Sequence, residues 1–105
     1  MARKTKKNLD LLPSEILEKA SECFRLLAHP VRLRIIEILM QGKFPVHEIA
    51  EMCQLNPSQT CDHLRLLKGH RILDSKRCGR IVYYTIAAPH AVDIIECIRR
   101  NCKLL

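Results

Sequence analysis

The chain has 105 residues, of which 48% are hydrophobic and only 4% aromatic, so we expect one small domain with a mainly aliphatic core. Eighteen Lys and Arg residues against 11 Asp and Glu residues give a net charge of +7, which favours a polyanionic partner. No apolar run has the length of a membrane span and the N-terminus has no secretory pattern, which predicts a cytoplasmic protein. We therefore expect its six cysteines to be reduced thiols and not a disulfide framework.

Residues 1–12 are predicted to be a basic, mobile arm, and residues 13–105 are predicted to be the folded domain. Three lysines of the arm could reach phosphates, Lys4, Lys6 and Lys7, but a solvated tail is the favoured interpretation. The first helix is predicted to start near Pro13, and the His29-Pro30 pair ends it. Its apolar residues recur at spacings of three and four and predict one buried stripe: Ile16, Ala20, Cys23, Phe24 and Leu27. The second helix, about 30–41, is apolar nearly all round and is predicted to be central.

A third helix over about 46–53 and a fourth after Asn56 are separated by a tight turn. Asn56 is predicted to cap the fourth helix, with Pro57 at the first helical position and Gln59 completing a capping box. Three residues of this helix are expected to face the core: Thr60, Leu64 and Leu67. The outward positions are then Ser58, Cys61, Asp62 and Arg65.

The hydrophobic period changes to two after Gly69, which predicts two strands with a tip at residues 77–80 and Gly79 at positive φ. The last helix is predicted over about 89–103, with an apolar stripe at Ala91, Ile94, Ile95, Ile98 and Cys102. The order α-α-α-α-β-β-α predicts a mainly α fold with a small β-hairpin wing, residues 72–86. This is the order of a winged helix-turn-helix.

In that fold the fourth helix would enter the major groove of double-stranded DNA, with Ser58, Gln59, Cys61, Asp62 and Arg65 towards the bases. Arg65 could contact guanine, and Asp62 could accept from cytosine or orient Arg65. The basic wing residues Lys76, Arg77 and Arg80 are predicted to bind phosphate or the adjacent minor groove. The alternative for the wing is a solvated turn.

Three blocks resemble the ArsR/SmtB family of bacterial transcriptional repressors: LLAHPVRLRIIEIL (26–39), EIAEMCQLNPSQTCDHLRLL (48–67) and CGRIVYYTI (78–86). The resemblance covers residues 20–103. It implies a homodimeric repressor whose first and last helices form the dimer interface, and from which a metal, metalloid or thiol-reactive signal releases operator DNA.

The chain departs from the family pattern at three known sites and at the end of the fourth helix. Pro45 and His47 stand where the family's arsenic site has two cysteines, and His90 is the one zinc-ligand match, since Ala88, Asn101 and Leu104 occupy the other positions. Glu37 stands where some members have a redox cysteine, and Arg71 where the family has Gly after the fourth helix. We therefore predict no metal site of the known kinds.

The dimer helices would bring three thiols towards one region, Cys23, Cys97 and Cys102, where they could bind As(III) or another soft metal or react with sulfur species. The alternative is that buried cysteines are core residues, which is favoured for Cys23. A Cys53–Cys97 pair stays open, and Cys61 and Cys78 fall on the predicted DNA face. None of the histidines is predicted to be a ligand.

The leading interpretation is a non-enzymatic, DNA-binding repressor. The alternatives are a winged-helix module that binds another protein, and a constitutive repressor with no inducer. An enzyme is disfavoured because the chain has no phosphate loop, nucleophile elbow or CxxC pair.

Overall fold

The computed structural model describes residues 3–4 and 8–102. Within this part of the chain it forms five helices and two short antiparallel hairpins: β1 (Arg3–Lys4), β2 (Asp10–Leu11), α1 (Ser14–Leu27), α2 (Pro30–Leu39), α3 (Val46–Cys53), α4 (Pro57–Gly69), β3 (Leu73–Cys78), β4 (Ile81–Ile86) and α5 (Pro89–Asn101). The predicted order of elements over the folded domain is confirmed. No helix in residues 3–4 and 8–102 is both long and apolar enough to cross a bilayer.

Helix α2 lies at the centre of the fold, where it contacts α1, α3, α5 and β4. Its side chains Ile35 and Ile36 have no exposed surface, in agreement with the prediction of a central helix. Around them the core is almost entirely aliphatic, with Ile49, Leu64 and Ile95 from three other helices. The small number of aromatic residues is therefore no obstacle to close packing in this domain.

The prediction of a buried stripe on helix α1 is wrong, because most of its apolar residues are not buried within the single chain. Only Leu27 is buried, while Ile16 is 45% exposed and Phe24 is 55% exposed. Ala20 and Cys23 are half-buried. Apolar residues spaced three and four apart indicate that one side of a helix is apolar, but they do not indicate whether the same chain covers that side.

The second hairpin pairs β3 with β4 in the register Leu73↔Ile86 to Cys78↔Ile81. The predicted tip at residues 77–80 is too wide, because Arg77 and Cys78 still belong to β3 and the turn is only Gly79–Arg80. Gly79 has the predicted positive φ, +65°. A glycine at the first central position suits the tight two-residue turns that match strand twist.

The predicted N-terminal arm contains a two-residue ladder in which Arg3 pairs with Leu11 and Lys4 with Asp10. Residues 1–2 and 5–7 lie outside the described residues, and so do Lys6 and Lys7, two of the lysines predicted to reach phosphate. The side chain of Lys4 is also outside the description. The mobility of the arm stays a prediction.

Candidate nucleic-acid interface

The start of α4 is fixed by the capping box that the sequence predicts. Asn56 Oδ1 accepts a hydrogen bond from the Gln59 backbone N–H at 2.8 Å, and Gln59 Oε1 accepts one from the Asn56 N–H at 3.4 Å. Pro57 follows at the first helical position. These bonds satisfy donors that a helix start otherwise leaves free, so the first turn of α4 is held in one orientation.

One side of α4 is anchored in the core and the other faces solvent. Thr60, Leu64 and Leu67 have no exposed surface, as predicted, and the Thr60 hydroxyl donates to Asn56 O at 3.0 Å. Four of the five residues predicted to face the bases are exposed: Ser58, Gln59, Asp62 and Arg65. Cys61 is half-buried, which corrects its placement as a fully outward residue.

Asp62 and Arg65 form an ion pair one helical turn apart, with Oδ1 and Nη1 separated by 3.5 Å. Both side chains are mostly exposed, so the pair contributes little to stability. The contact places the Asp62 carboxylate beside the Arg65 guanidinium on the outer side of α4. This arrangement is compatible with the predicted alternative that Asp62 orients Arg65, which stays a prediction.

The basic residues of the wing are all exposed: Lys76, Arg77 and Arg80. Lys76 is opposite Tyr83 and Arg77 is opposite Val82 in the ladder. Because successive strand residues point to opposite faces, Lys76 and Arg77 lie on different faces of the hairpin, and Arg80 lies in its turn. The wing therefore presents positive charge on both faces and at its tip.

Tyr84 on β4 lies close to α4, which the sequence analysis did not predict. Burial raises the pKa of the Tyr84 hydroxyl, the neighbouring Cys61 raises it further, and Arg65 lowers it. Tyr84 thus lies near two of the predicted DNA-contacting residues, Cys61 and Arg65. Its strand period was visible in the sequence, but its neighbours on α4 were not.

The end of α4 keeps its usual geometry although the expected glycine is absent. Arg71 has φ +61°, the left-handed conformation. Its N–H donates to Lys68 O at 3.0 Å, and the Ile72 N–H donates to Leu67 O at 3.0 Å. These are the two bonds of a Schellman motif, so Arg71 occupies the position that normally suits glycine.

The three predicted sensor thiols lie in different surroundings. Cys23 Sγ is 2.9 Å from His90 Nε2, and this pair shares a surface groove with Glu22 and His70. Cys97 is exposed, with Asn101 Nδ2 3.6 Å from its Sγ. Cys102, at the end of α5, is half-buried.

All six cysteines are free thiols, so the structure does not form a Cys53–Cys97 disulfide. Within residues 3–4 and 8–102, no three His, Cys, Asp or Glu side chains are placed to hold a metal ion. The Cys23–His90 contact was not predicted. The two residues are 67 positions apart and neither belongs to a recognisable ligand motif.

Helix α3, a tight turn, α4 and a basic hairpin, packed in this order, define the winged helix-turn-helix class of regulators. Residues 29–75 match the family described as bacterial regulatory protein, arsR family. The chain belongs to the ArsR family.

Individual relatives agree with this assignment. The HTH-type transcriptional repressor SmtB of Mycobacterium tuberculosis is 35% identical over 83 residues, which cover 79% of this chain and 62% of SmtB. The antimony-specific transcriptional repressor AntR has a TM-score of 0.80 at 25% identity, covering 98% of this chain and 96% of AntR. The homodimeric winged helix-turn-helix DNA-binding domain Mb0332 from Mycobacterium bovis has a TM-score of 0.72 at 24% identity, covering 95% and 88%.

Each of these relatives is named as a transcriptional regulator or a DNA-binding domain, in agreement with the prediction of a non-enzymatic protein. The chain spans 62% of the length of SmtB from M. tuberculosis and 58% of its Synechocystis homologue.

Proposed function

We propose that this protein is a homodimeric repressor of transcription that binds operator DNA through α4 and the wing. The observation that carries the proposal is that one side of α4 is buried in the core while the other side is polar and exposed. Thr60, Leu64 and Leu67 fix the helix against the core, while the exposed Asp62–Arg65 pair projects from it. A rigid helix with exposed polar residues is what major-groove readout requires.

The residue roles follow from exposure and charge. Arg65 contacts guanine and Asp62 orients it, while Ser58 contacts an adjacent base or phosphate. Gln59 would have to give up its bond to the Asn56 N–H before it could contact DNA. Cys61, half-buried beside Tyr84, contributes packing and a small contact surface. Lys76, Arg77 and Arg80 bind the phosphates.

The apolar face of α1 supports the homodimer. Ile16, Leu17 and Phe24 are exposed on it, and Phe24 lines an apolar surface groove with Ile94 and Ile98 of α5. A second copy of the same face would remove this surface from water, at about 25 cal/mol for each Å² of apolar area. Two chains joined in this way present two α4 helices, as an operator with two half-sites requires.

A soft metal, a metalloid or a thiol-reactive molecule would release the DNA by acting on Cys23, Cys97 or Cys102. The likeness to AntR, a repressor named as antimony-specific, supports this class of signal. As(III) and Sb(III) favour thiolates, and one chain does not bring three such groups together in its described part. Any such site would therefore need thiols from both chains of the dimer. A regulator of this kind acts in the cytoplasm, where its operator is.

The DNA-binding proposal is tested by fluorescence anisotropy with a fragment from upstream of the gene and with random DNA of equal length. Tighter binding to the upstream fragment, with a strong dependence on salt, is the expected result. Equal and weak binding to both fragments would instead favour the protein-interaction module.

The signal is tested on the same complex by titrating As(III), Zn(II), Cd(II), a persulfide and a peroxide. We expect one of these classes to release the DNA, and the release to be lost in Cys97→Ser, Cys102→Ser or Cys23→Ser. If no reagent releases the DNA, the thiol-signal proposal is wrong, and a constitutive or protein-regulated repressor remains.

A further inference from the structure

The Arg32 side chain joins three helices. Arg32 belongs to α2, its Nη1 donates to the Leu26 carbonyl of α1 at 3.1 Å, and its Nε donates to His63 Nδ1 of α4 at 3.2 Å. We propose that Arg32 is a positioning residue that couples the end of α1, the helix that carries the proposed dimer face, to the DNA-reading helix α4. This inference rests on the proposed DNA binding and adds the route by which α1 acts on it.

The bond to Leu26 fixes the end of α1. This carbonyl lies in the last turn of the helix, where no further N–H of α1 is available to it. Arg32 supplies the missing donor. Any displacement of α1, for example by dimerisation or by a change at Cys23 one turn earlier, moves a direct partner of Arg32.

The bond to His63 fixes a protonation state. A guanidinium has donors only, so His63 Nδ1 must carry a lone pair and the ring proton must be on Nε2. The His29 ring lies beside it, with 4.8 Å between the ring centroids. His29 Nδ1 in turn accepts the Val31 N–H at 3.1 Å, which caps α2. Arg32, His63 and His29 therefore form one connected cluster, here called the Arg32 cluster.

The position of His63 makes the Arg32 cluster relevant to DNA. His63 lies between Asp62, which orients Arg65, and the buried Leu64. A shift of α4 at His63 therefore displaces the Asp62–Arg65 pair directly. The Arg32 hydrogen bonds add directional contacts to the close packing that holds the inner side of α4 against the core.

Protonation of His63 would break the link. A proton on Nδ1 removes the acceptor and places a cation beside Arg32 from α2 and beside His29 at the start of α2, with Asp62 as the one nearby anion. DNA affinity should then fall as the pH falls below about 6.5, the ordinary histidine pKa, because the pKa of His63 is lowered in the folded chain. Burial, His29 and Arg32 lower the pKa of His63, whereas Asp62 raises it, so the link is intact at neutral pH.

The test uses the full chain and four variants. Arg32→Met keeps the aliphatic stem and removes the donors, and His63→Leu removes the acceptor. His63→Asn keeps an acceptor oxygen near the Nδ1 position but does not titrate. Arg34→Met is the matched control, because it removes the same charge from the exposed side of the same helix, where Arg34 pairs with Glu37.

Operator affinity is measured by anisotropy, dimerisation by sedimentation and folding by circular dichroism. We expect Arg32→Met and His63→Leu each to weaken operator binding about tenfold, as for loss of a coupled pair, with the dimer and the helical signal unchanged. The double variant should be no weaker than either single one. His63→Asn should bind like the wild type at neutral pH and lose the pH dependence.

Three results would overturn the coupling role while leaving DNA binding in place: Arg32→Met binding the operator as well as Arg34→Met, full additivity in the double variant, or unchanged pH dependence in His63→Asn. Failure of the wild type to bind any DNA would overturn the proposed function as well.

Discussion

Cys23 Sγ lies 2.9 Å from His90 Nε2, and this contact joins the middle of α1 to the first turn of α5. It brings together the two helices that carry the proposed dimer face. Burial raises the pKa of the Cys23 thiol, so Cys23 is a neutral hydrogen-bonding partner of His90 at neutral pH. The pair stabilises the contact between these helices, and a reagent that modified the Cys23 thiol would remove its hydrogen bond with His90.

The thiols should therefore react in a defined order with an alkylating reagent. Cys78 and Cys97 are exposed and should be modified first. Cys23 and Cys53 should react several-fold more slowly, because burial raises the pKa of both thiols, although Arg34 lowers that of Cys53. Timed quenching followed by peptide mass spectrometry measures the order, and denatured protein is the control in which the differences vanish. Fastest labelling at Cys23 would contradict this prediction.

Arg71 at positive φ predicts a stabilising substitution. Arg71→Gly should raise the free energy of unfolding by about 1 kcal/mol, because a non-glycine residue is strained in the left-handed region. Gly69→Ala should also stabilise, by about 0.5–1 kcal/mol, since its added Cβ would meet nothing within 4 Å. Gly79→Ala is the opposite control, because alanine at φ +65° is strained. Urea unfolding measures all three, and a destabilised Arg71→Gly would exclude the strain.

Substitutions of Arg65 and of Arg80 should weaken DNA binding in different ways. Arg65→Ala should lower the preference for operator over random DNA by about 1–3 kcal/mol, whereas Arg80→Ala should weaken binding to both and reduce the salt slope by about 1. Anisotropy over a range of salt concentrations separates the two effects. Arg100→Ala, which removes an exposed arginine of α5, controls for net charge. An Arg80→Ala chain with unchanged affinity and slope would show that the wing does not bind phosphate.

His63 should make the folded state sensitive to acid. Burial, the dominant cause, together with His29 and Arg32, lowers its pKa in the folded state, while Asp62 opposes them. The folded chain thus binds this proton less tightly than the unfolded chain, whose pKa is about 6.5. The stability contribution is complete above about pH 6.5 and is lost as the pH falls through the lower folded-state pKa. Urea unfolding of His63→Asn should show a smaller loss between about pH 7 and pH 5 than the wild type, and an equal loss would contradict the assignment.

Local patterns predicted the start and the buried side of α4 well. Asn56, Pro57 and Gln59 lie within four consecutive residues. Their capping geometry therefore depends on few residues and was predicted correctly. The core side of α4 followed from helical spacing alone. The apolar stripe of α1 was wrongly predicted to be buried, because helical spacing does not determine whether the same chain covers an apolar side.

Contacts between distant residues could not be predicted. Cys23 and His90 meet across 67 positions, and Arg32 and His63 across 31. Each pair depends on the angle at which two helices cross, which no single helix determines. Arg32 did carry one signal, a charge within the apolar run of α2, but this does not identify its partner.

If the proposed dimer forms through the exposed apolar residues Leu17 and Phe24, operator occupancy depends on protein abundance. If two chains must meet before two α4 helices face the DNA together, the concentration of dimer rises with the square of the chain concentration when the dimer is scarce. A small change in expression would then change occupancy more than proportionally. A polar residue at Phe24 would shift this threshold to higher expression while leaving α4 and the wing chemically intact.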